Sequence, residues 1–315
     1  MYNEKQKLSF MNDYTEREST KKFVGSLFDA LERYEELYNK DICFMDLDEL
    51  QPAVDSVIGL RVTTKWSKVA TIREYIKWCG RKGIPNVSDA IKHINILGID
   101  KIKGSMVSSP MDLHKCLNNT FDNEEEQTAQ SVFHAYFWMA FMGVPIDYTV
   151  CIEKEHIDFE SMILRYNGDE WPMYRESLRA FKNVVLLTKF KFDNGYYKEP
   201  IYRNRVPGTT ILRGVRSTPP LKFLRSNASA IFTKSIESGR THKRLSYERV
   251  KRSGIFYRMH EAEICGEPVD FFELANAAMA DKEYALDKGR TKKNLIEREA
   301  RAMMEEYQSW KLAFY

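Results

Sequence analysis

Residues 130–151 read QSVFHAYFWMAFMGVPIDYTVC. The first thirteen residues are almost wholly apolar, which predicts a buried helix that ends at Gly143, because glycine readily adopts the conformation in which helices end. Pro145 follows two residues later, and its fixed φ angle and missing N–H constrain the turn after the helix. This helix and turn are expected to open the larger of two domains.

The rest of the chain reads mainly as helix. A chain of 315 residues is long enough for two domains with separate cores. Residues 1–103 carry amphipathic helices, including one over 63–83 and a last short one over 87–97, and are predicted to form a helical domain that binds DNA. Residues 104–126 are polar and rich in Ser and Asn, which predicts a linker. Residues 127–315 form the second predicted domain.

The second domain is predicted to contain a little β-structure among its helices. HIDFESMILRY (156–166) alternates as a strand or hairpin does, and NGDE (167–170) supplies its turn. Helix is predicted again over 171–190 and in blocks after Pro219. The fold class is therefore mainly α, with an N-terminal helical bundle and a mainly helical C-terminal domain that carries a small β-hairpin or sheet.

Several function classes lack support. No apolar run approaches the roughly 18 residues of a membrane span, and the first residues lack a secretion signal, so we expect a cytoplasmic protein. The five cysteines form no CxxC pair and the six histidines no HExxH motif, so no metal site is expected. Phosphate-binding glycine motifs are lacking as well, and we expect no cofactor.

Charge is strongly segregated along the chain. The net charge is only +3, yet residues 203–258 hold 14 basic and 2 acidic side chains, and residues 61–103 hold 10 basic and 3 acidic ones. Both segments also contain aromatic residues. Such surfaces attract phosphate backbones, which predicts binding to double-stranded DNA. The candidate DNA-binding residues are Lys65, Lys68, Arg73, Lys77, Arg81, Arg203, Arg205, Arg213, Arg216, Arg225, Lys243, Arg244, Arg249, Lys251 and Arg252.

The segment FWMAFMGVPIDYTVCIEKEHIDFESMIL (137–164) is similar to the first catalytic box of the tyrosine recombinases, or phage integrases. TTKWSKVATIREYIKWCGRKG (63–83) is similar to the core-binding domain of that family. The box normally reads threonine, glycine, leucine and arginine, with an acidic residue three positions on. Here Met142, Gly143 and Val144 fill the first three places. Pro145 stands in place of the catalytic arginine and Tyr148 in place of the acid.

RLSYERVKRSGIFYRMHEAEICG (244–266) is similar to the helix that carries histidine, two residues and arginine in active members. The alignment puts Glu248 at the histidine and Lys251 at the arginine, while a small shift would place Arg249 or Arg252 there. Tyr307 or Tyr315 lies where a nucleophilic tyrosine could be, although either reads as a packing residue. Because lysine does not reproduce bidentate arginine contacts and proline makes none, the resemblance implies an inactive site.

The resemblance implies a sequence-specific DNA-binding protein rather than an enzyme. Within the family, the chain resembles integrase-like proteins of Bacillus prophages, which implies a transcriptional repressor that maintains lysogeny by binding operator sites. A phage-encoded regulator or antirepressor is a further expected partner, and self-association on DNA is open. Two alternatives remain: an active divergent recombinase that uses Arg165 or Arg175, and an accessory DNA-bending factor.

Overall fold

The computed structural model describes residues 1–59, 62–96, 98–121, 130–192, 199, 201–215, 220–279 and 292–315. They are mainly helical, with small antiparallel sheets, as the sequence predicts. The chain divides into two compact units. The first unit comprises Met1–Ile102 together with Asp270–Ala313, and the second comprises Lys103–Val269.

The first unit is built on helices whose ends and buried faces follow from local sequence. They are α1 (Glu4–Tyr14), α2 (Glu18–Tyr38), α3 (Leu47–Val57) and α4 (Val62–Arg81). The Asp46 carboxylate accepts a hydrogen bond from the Glu49 amide at 3.0 Å, and the Glu49 carboxylate accepts one from the Asp46 amide at 3.1 Å. This capping box satisfies two amides that would otherwise lack partners and starts α3. In α4 the predicted apolar face is buried, at Val69, Ile72, Ile76 and Cys79.

A charged pair lies inside the first unit. Lys7 on α1 and Glu35 on α2 have fully buried side chains and form an ion pair. The Ile42 amide donates a hydrogen bond to the Glu35 carboxylate at 3.1 Å. Burial raises the pKa of Glu35 to about 7, although the ammonium of Lys7 acts in the opposite direction. The pair therefore costs desolvation energy that its own attraction offsets only in part.

The predicted linker over 104–126 is wrong where the structure describes it. After α5 (Ile99–Ser105), residues Pro110–Thr120 form α6, whose Leu113, Cys116 and Leu117 are buried in the core of the second unit. The Ser109 hydroxyl caps this helix by accepting a hydrogen bond from the Asp112 amide at 3.2 Å. The polar residues that resembled a linker are thus caps and an exposed helix face, and residues 122–126 lie outside the described ranges.

The prediction of a short helix over 87–97 is also wrong. This stretch contains a 3₁₀ turn at Ala90–Lys92, and residue 97 is outside the described part of the chain. Two buried side chains, Ala90 and Ile91, nevertheless join the core of the first unit.

The centre of the second unit is α7 (Gln130–Met142), whose side chains from Ser131 to Met142 are all buried. A helix that is apolar on every side needs neighbours all around it. One of them is α10 (Tyr247–Ile264), which crosses α7 at Gly254. A Cβ atom at this glycine would lie only 1.9 Å from the Phe141 carbonyl oxygen. The close approach of the two helices therefore requires glycine at position 254.

The predicted hairpin is confirmed as part of an antiparallel sheet in the order β1 (Ile157–Asp158), β2 (Ile163–Tyr166), β3 (Asp169–Pro172). Its turn residues Asn167 and Gly168 have φ angles of 55° and 86°. A tight hairpin turn of this kind favours asparagine followed by glycine, because both central residues need positive φ.

The prediction of helix over 171–190 holds only in part. The helix α8 spans Leu178–Leu186, β3 covers the start of the segment, and β4 (Lys189–Phe192) pairs antiparallel with β5 (Ile201–Asn204). This β4–β5 ribbon has no counterpart in the sequence prediction. The strand that pairs with β4, β5, follows residues 193–198, which lie outside the described ranges. Local periodicity around residue 189 could therefore not reveal the pairing.

The helical blocks predicted after Pro219 correspond to α9 (Pro220–Glu237), α10, α11 (Phe271–Met279) and α12 (Lys292–Phe314). The domain assignment of this region differs from the prediction. The sequence places all of 127–315 in one domain, whereas Asp270–Ala313 groups with the first unit. Tertiary packing decides that grouping. The local sequence pattern predicts the same helices whichever unit the segment packs with.

Candidate nucleic-acid interface

One side of α4 carries cations and an aromatic ring away from the core. Trp66, Arg73, Lys77 and Arg81 follow one another at steps of seven, four and four residues, which places them along one side of a helix. The Trp66 side chain is 50% exposed, Lys77 and Arg81 are exposed, and Arg73 is half-buried. We call these four residues the α4 stripe. Cations and aromatic rings are the kinds of side chain that contact phosphates and bases in nucleic-acid interfaces.

Two other lysines of the predicted set do not belong to the α4 stripe. Lys65 is only 4% exposed. Lys68 is half-buried, and its ammonium donates a hydrogen bond to the Val57 carbonyl at 2.7 Å. Both point toward the interior of the first unit, since their positions lie on the other side of the helix. Their assignment to DNA contact is therefore corrected.

Arg205 is a structural residue in the second unit. It is 8% exposed, and its guanidinium donates hydrogen bonds to the carbonyls of Val184 at 3.1 Å and Leu187 at 2.7 Å, and also to that of Ile211. Burial, together with neighbouring Arg213, lowers the pKa of Arg205 to about 10, so it stays charged at neutral pH. Because its guanidinium is buried and donates to three backbone carbonyls, the prediction that Arg205 contacts DNA is wrong.

Lys243 is also used internally. It is 7% exposed, and its ammonium donates hydrogen bonds to the Met106 carbonyl at 3.0 Å and the Asp112 carboxylate at 2.8 Å. This ion pair ties the segment before α10 to the start of α6. Because its ammonium is buried and bonded to protein groups, the prediction that Lys243 contacts DNA is wrong.

The remaining cations of the predicted set differ in exposure. Arg203 on β5, Arg225 on α9 and Arg244 just before α10 are exposed. Arg213 is half-buried beside Gly208. Arg249, Lys251 and Arg252 on α10 are half-buried, and the Arg252 guanidinium lies 5.9 Å from the Phe256 ring centroid. Arg216 lies outside the described residues.

The turn at Gly143–Pro145 is held by α10. The Tyr247 hydroxyl donates a hydrogen bond to the Val144 carbonyl at 2.8 Å, and the Arg258 guanidinium donates one to the Phe141 carbonyl at 3.0 Å. Gly143 has a φ angle of 101°, in the region that favours glycine. The turn that the resemblance assigns to the first box is thus fixed by these contacts, and Pro145 within it is half-buried.

Tyr148, which the resemblance places at the acidic position of the first box, packs against the hairpin. Its ring lies 5.1 Å from that of Tyr166, and its hydroxyl accepts a hydrogen bond from the Asn167 side chain at 3.0 Å. Arg165, on the same sheet, forms ion pairs with Asp158 at 3.1 Å and Glu170 at 2.7 Å. These contacts give both side chains structural roles in the sheet.

A pocket of about 370 Å³ opens beside this turn within the second unit. Its lining includes Ile146, Tyr136, Arg225, Arg244, Tyr247 and Glu248. The Tyr136 hydroxyl is buried and makes no well-directed hydrogen bond to a described residue. Burial raises the pKa of Tyr136 to about 12 even though the nearby Arg225 guanidinium favours its ionised form. Burial also raises the pKa of Tyr247. Both tyrosines therefore remain neutral donors at physiological pH.

The pocket combines two guanidinium groups with a carboxylate. Arg225 and Arg244 supply guanidinium groups, and Arg244 also donates to the Ser229 hydroxyl at 3.2 Å. Glu248 brings a carboxylate to the position that the alignment gives to a histidine, and a carboxylate repels phosphate. Lys251 lies one turn further along α10 and is half-buried.

Tyr307 is buried in the first unit. It is 0% exposed on α12, with its ring 5.9 Å from that of Phe271 and stacked at 6.1 Å on that of Trp310. Tyr315 is 64% exposed, and its ring lies 5.4 Å from that of Trp310. The environment of Tyr307 is that of a packing residue, as the sequence interpretation favours.

Sequence reasoning missed some exposed groups. The sequence prediction does not include Trp66, although its spacing of seven residues from Arg73 places it on the same side of the helix. The exposed side chains of Lys189, Tyr202 and Asn204 were missed as well. The alternation in KFKF (189–192) is typical of a strand and is the local signal for Lys189 alone.

No group of three or more His, Cys, Asp or Glu side chains suited to a metal ion occurs in the described part of the chain. Among the described residues, none of the helices is long and apolar enough to cross a membrane.

Comparison with known proteins matches one part of the chain. No curated protein matches the sequence. Residues 1–81, which include α1 to α4 and the whole α4 stripe, match the family model described as MrpR, N-terminal core-binding domain. This part of the chain is thus similar to a domain of the tyrosine recombinase and integrase N-terminal family.

Proposed function

We propose that the protein is a sequence-specific DNA-binding protein that uses an inactive tyrosine-recombinase-like scaffold. We further propose that it is a phage transcriptional repressor that maintains lysogeny, of the kind found in SPbeta-type Bacillus prophages. The observation that carries the proposal is the α4 stripe, because it presents exposed cations and a tryptophan within the segment that matches a core-binding domain.

The proposed loss of catalysis is supported by the groups at the positions that the alignment gives to the two boxes. Phosphoryl transfer to tyrosine places extra negative charge on the phosphate, and positioned cations must stabilise it. Pro145 provides no cation, Glu248 provides the wrong charge, and Tyr307 is buried. Each lost transition-state contact typically costs about 10²–10³ in rate. Binding without cleavage is the function that these groups favour.

The α4 stripe gives a direct test of DNA binding. The probe is a duplex that the wild-type protein selects from a randomised pool. The affinity of the triple variant Arg73→Gln/Lys77→Gln/Arg81→Gln for this duplex should depend less steeply on salt than that of the wild-type protein. The slope of log K against log salt should change by about 3 units, since each phosphate contact contributes roughly 0.9. The triple variant Lys22→Gln/Arg33→Gln/Lys92→Gln removes the same charge from exposed positions elsewhere in the first unit. It should keep the wild-type slope, and equal slopes in both triple variants would contradict the role of the stripe.

Catalysis is tested with nicked suicide duplexes that contain the selected site. We expect no covalent protein–DNA complex on a denaturing gel, and no relaxation of supercoiled DNA carrying the site. A tyrosine-linked adduct would instead establish a divergent active recombinase.

The regulatory role is tested in a lysogen. Crosslinked DNA recovered with the protein should come from sites at phage promoters, and depletion of the protein should induce the prophage. Recovery confined to sequences flanking an attachment site would instead support recombination, or an accessory role in it.

A further inference from the structure

The β4–β5 ribbon presents a polar face that none of the recombinase-like boxes includes. Lys189 lies opposite Asn204 and Lys191 opposite Tyr202 in the antiparallel register. Residues directly opposite each other share a face of a sheet, and so do residues two apart along a strand. These four side chains therefore lie on one face, which we call the ribbon face. Lys189, Tyr202 and Asn204 are exposed, and Lys191 is half-buried.

The other face of the ribbon anchors it to the second unit. Phe190 is 1% exposed within the core, and the Arg205 guanidinium lies 5.9 Å from its ring centroid. Arg205 also holds the carbonyls at the end of α8, directly before β4. The ribbon is thus fixed at its base, while the Tyr202 side chain on the ribbon face is 62% exposed.

We infer that the ribbon face lies in a groove of duplex DNA, and this inference rests on the proposed DNA-binding function. A ribbon of paired antiparallel strands fits the major groove, as an α-helix does. The ammonium groups of Lys189 and Lys191 have the charge and reach for phosphates at the groove edge. Asn204 has the amide geometry for a bidentate contact to adenine. Tyr202 adds a ring and a hydroxyl beside it.

The charge of the ribbon selects DNA over a protein partner. Among the described residues of the ribbon face, two are lysines and none is acidic, and exposed Arg203 lies next to Tyr202 on β5. Protein interfaces are depleted in lysine, whereas DNA interfaces are strongly positive.

The experiment separates the phosphate contacts from the base contact. Binding is measured at several salt concentrations on two probes, a duplex selected by the wild-type protein and a duplex of random sequence. For Lys189→Gln/Lys191→Gln, the salt slope should become less steep by about 2 units on both probes. For Asn204→Ala, affinity should fall roughly 5- to 100-fold on the selected duplex and little on random DNA.

Lys154→Gln/Lys234→Gln is the control, since it removes two exposed lysines of the same unit outside the ribbon. It should leave the slope unchanged. Thermal unfolding should be unchanged in all three variants, because none of them alters a buried side chain.

The wild-type protein should show salt-dependent binding. If it does, but the ribbon variants keep the wild-type slope of log K against log salt and the wild-type preference for the selected duplex, the ribbon does not contact DNA. The proposed DNA-binding function would then still stand. A wild-type protein that binds neither probe would overturn both.

Discussion

At the scale of single residues, Gly254 sets how closely two helices pack. Because a Cβ atom there would lie 1.9 Å from the Phe141 carbonyl oxygen, Gly254→Ala must separate α7 from α10. We expect a loss of at least about 3 kcal/mol in the free energy of unfolding, measured by denaturant titration.

The matched control for this substitution is Gly80→Ala. Gly80 lies in α4, and a Cβ atom there would meet no described atom within 4 Å beyond the backbone of its own helix. Alanine should therefore stabilise that helix by about 0.5–1 kcal/mol. If Gly254→Ala were as stable as wild type, the close approach of α7 and α10 would be wrong.

Glu35 gives a residue-scale prediction for pH. Its folded-state pKa of about 7 lies above the ordinary 4.5, so its contribution to stability is fully present below pH 4.5 and is lost as pH rises through 7. Relative to Glu35→Gln, wild-type stability should fall by about 3 kcal/mol over that window. Urea titrations of both proteins at a series of pH values measure this difference.

The control is Glu36→Gln, an exposed neighbour on α2, which should follow the wild-type pH curve. Parallel curves for wild type and Glu35→Gln would contradict the effect of burial on Glu35. Lys7 and Asp41 face this carboxylate and remain unchanged in both variants.

At the scale of elements, Arg205 joins the end of α8 to the loop that carries Ile211. Arg205→Met removes hydrogen bonds to three buried carbonyls, and we expect the free energy of unfolding to fall by roughly 3 kcal/mol. The salt slope of DNA binding should not change, because the guanidinium faces the interior. A stable Arg205→Met protein with a reduced slope would restore Arg205 to the DNA contacts.

Arg203→Met is the paired control two residues away. Its side chain is exposed on β5, so stability should change by less than about 0.5 kcal/mol. Two arginines of one short segment are thus expected to have different roles, which thermal melts and binding curves together can distinguish.

At the scale of the whole molecule, the arrangement of charge matters more than its sum. The net charge is +3, yet the α4 stripe and the two lysines of the ribbon face, together with Arg203, Arg225 and Arg244, offer eight cations to phosphates. If each contacts one phosphate, log K should fall with log salt with a slope of about −7. Fluorescence anisotropy on random duplex DNA measures this slope, and a slope close to zero would exclude a backbone interface.

The sequence by itself determined the features that depend on neighbouring residues. The apolar face of α4, the buried character of α7, the turn at Asn167–Gly168 and the segregation of charge all follow from spacing or composition within a short segment. Helix periodicity and turn preference act over a few residues, so they could be predicted without the fold.

Only the tertiary structure decided which cations are available to a ligand. Lys243 meets the Met106 carbonyl 137 positions away, and Arg205 meets Val184 21 positions away. The pairing of β4 with β5 and the grouping of Asp270–Ala313 with the first unit depend on contacts of the same kind. A lysine or arginine has the same charge in every context. Whether it binds phosphate or a buried carbonyl depends on which groups the folded chain brings within hydrogen-bonding distance.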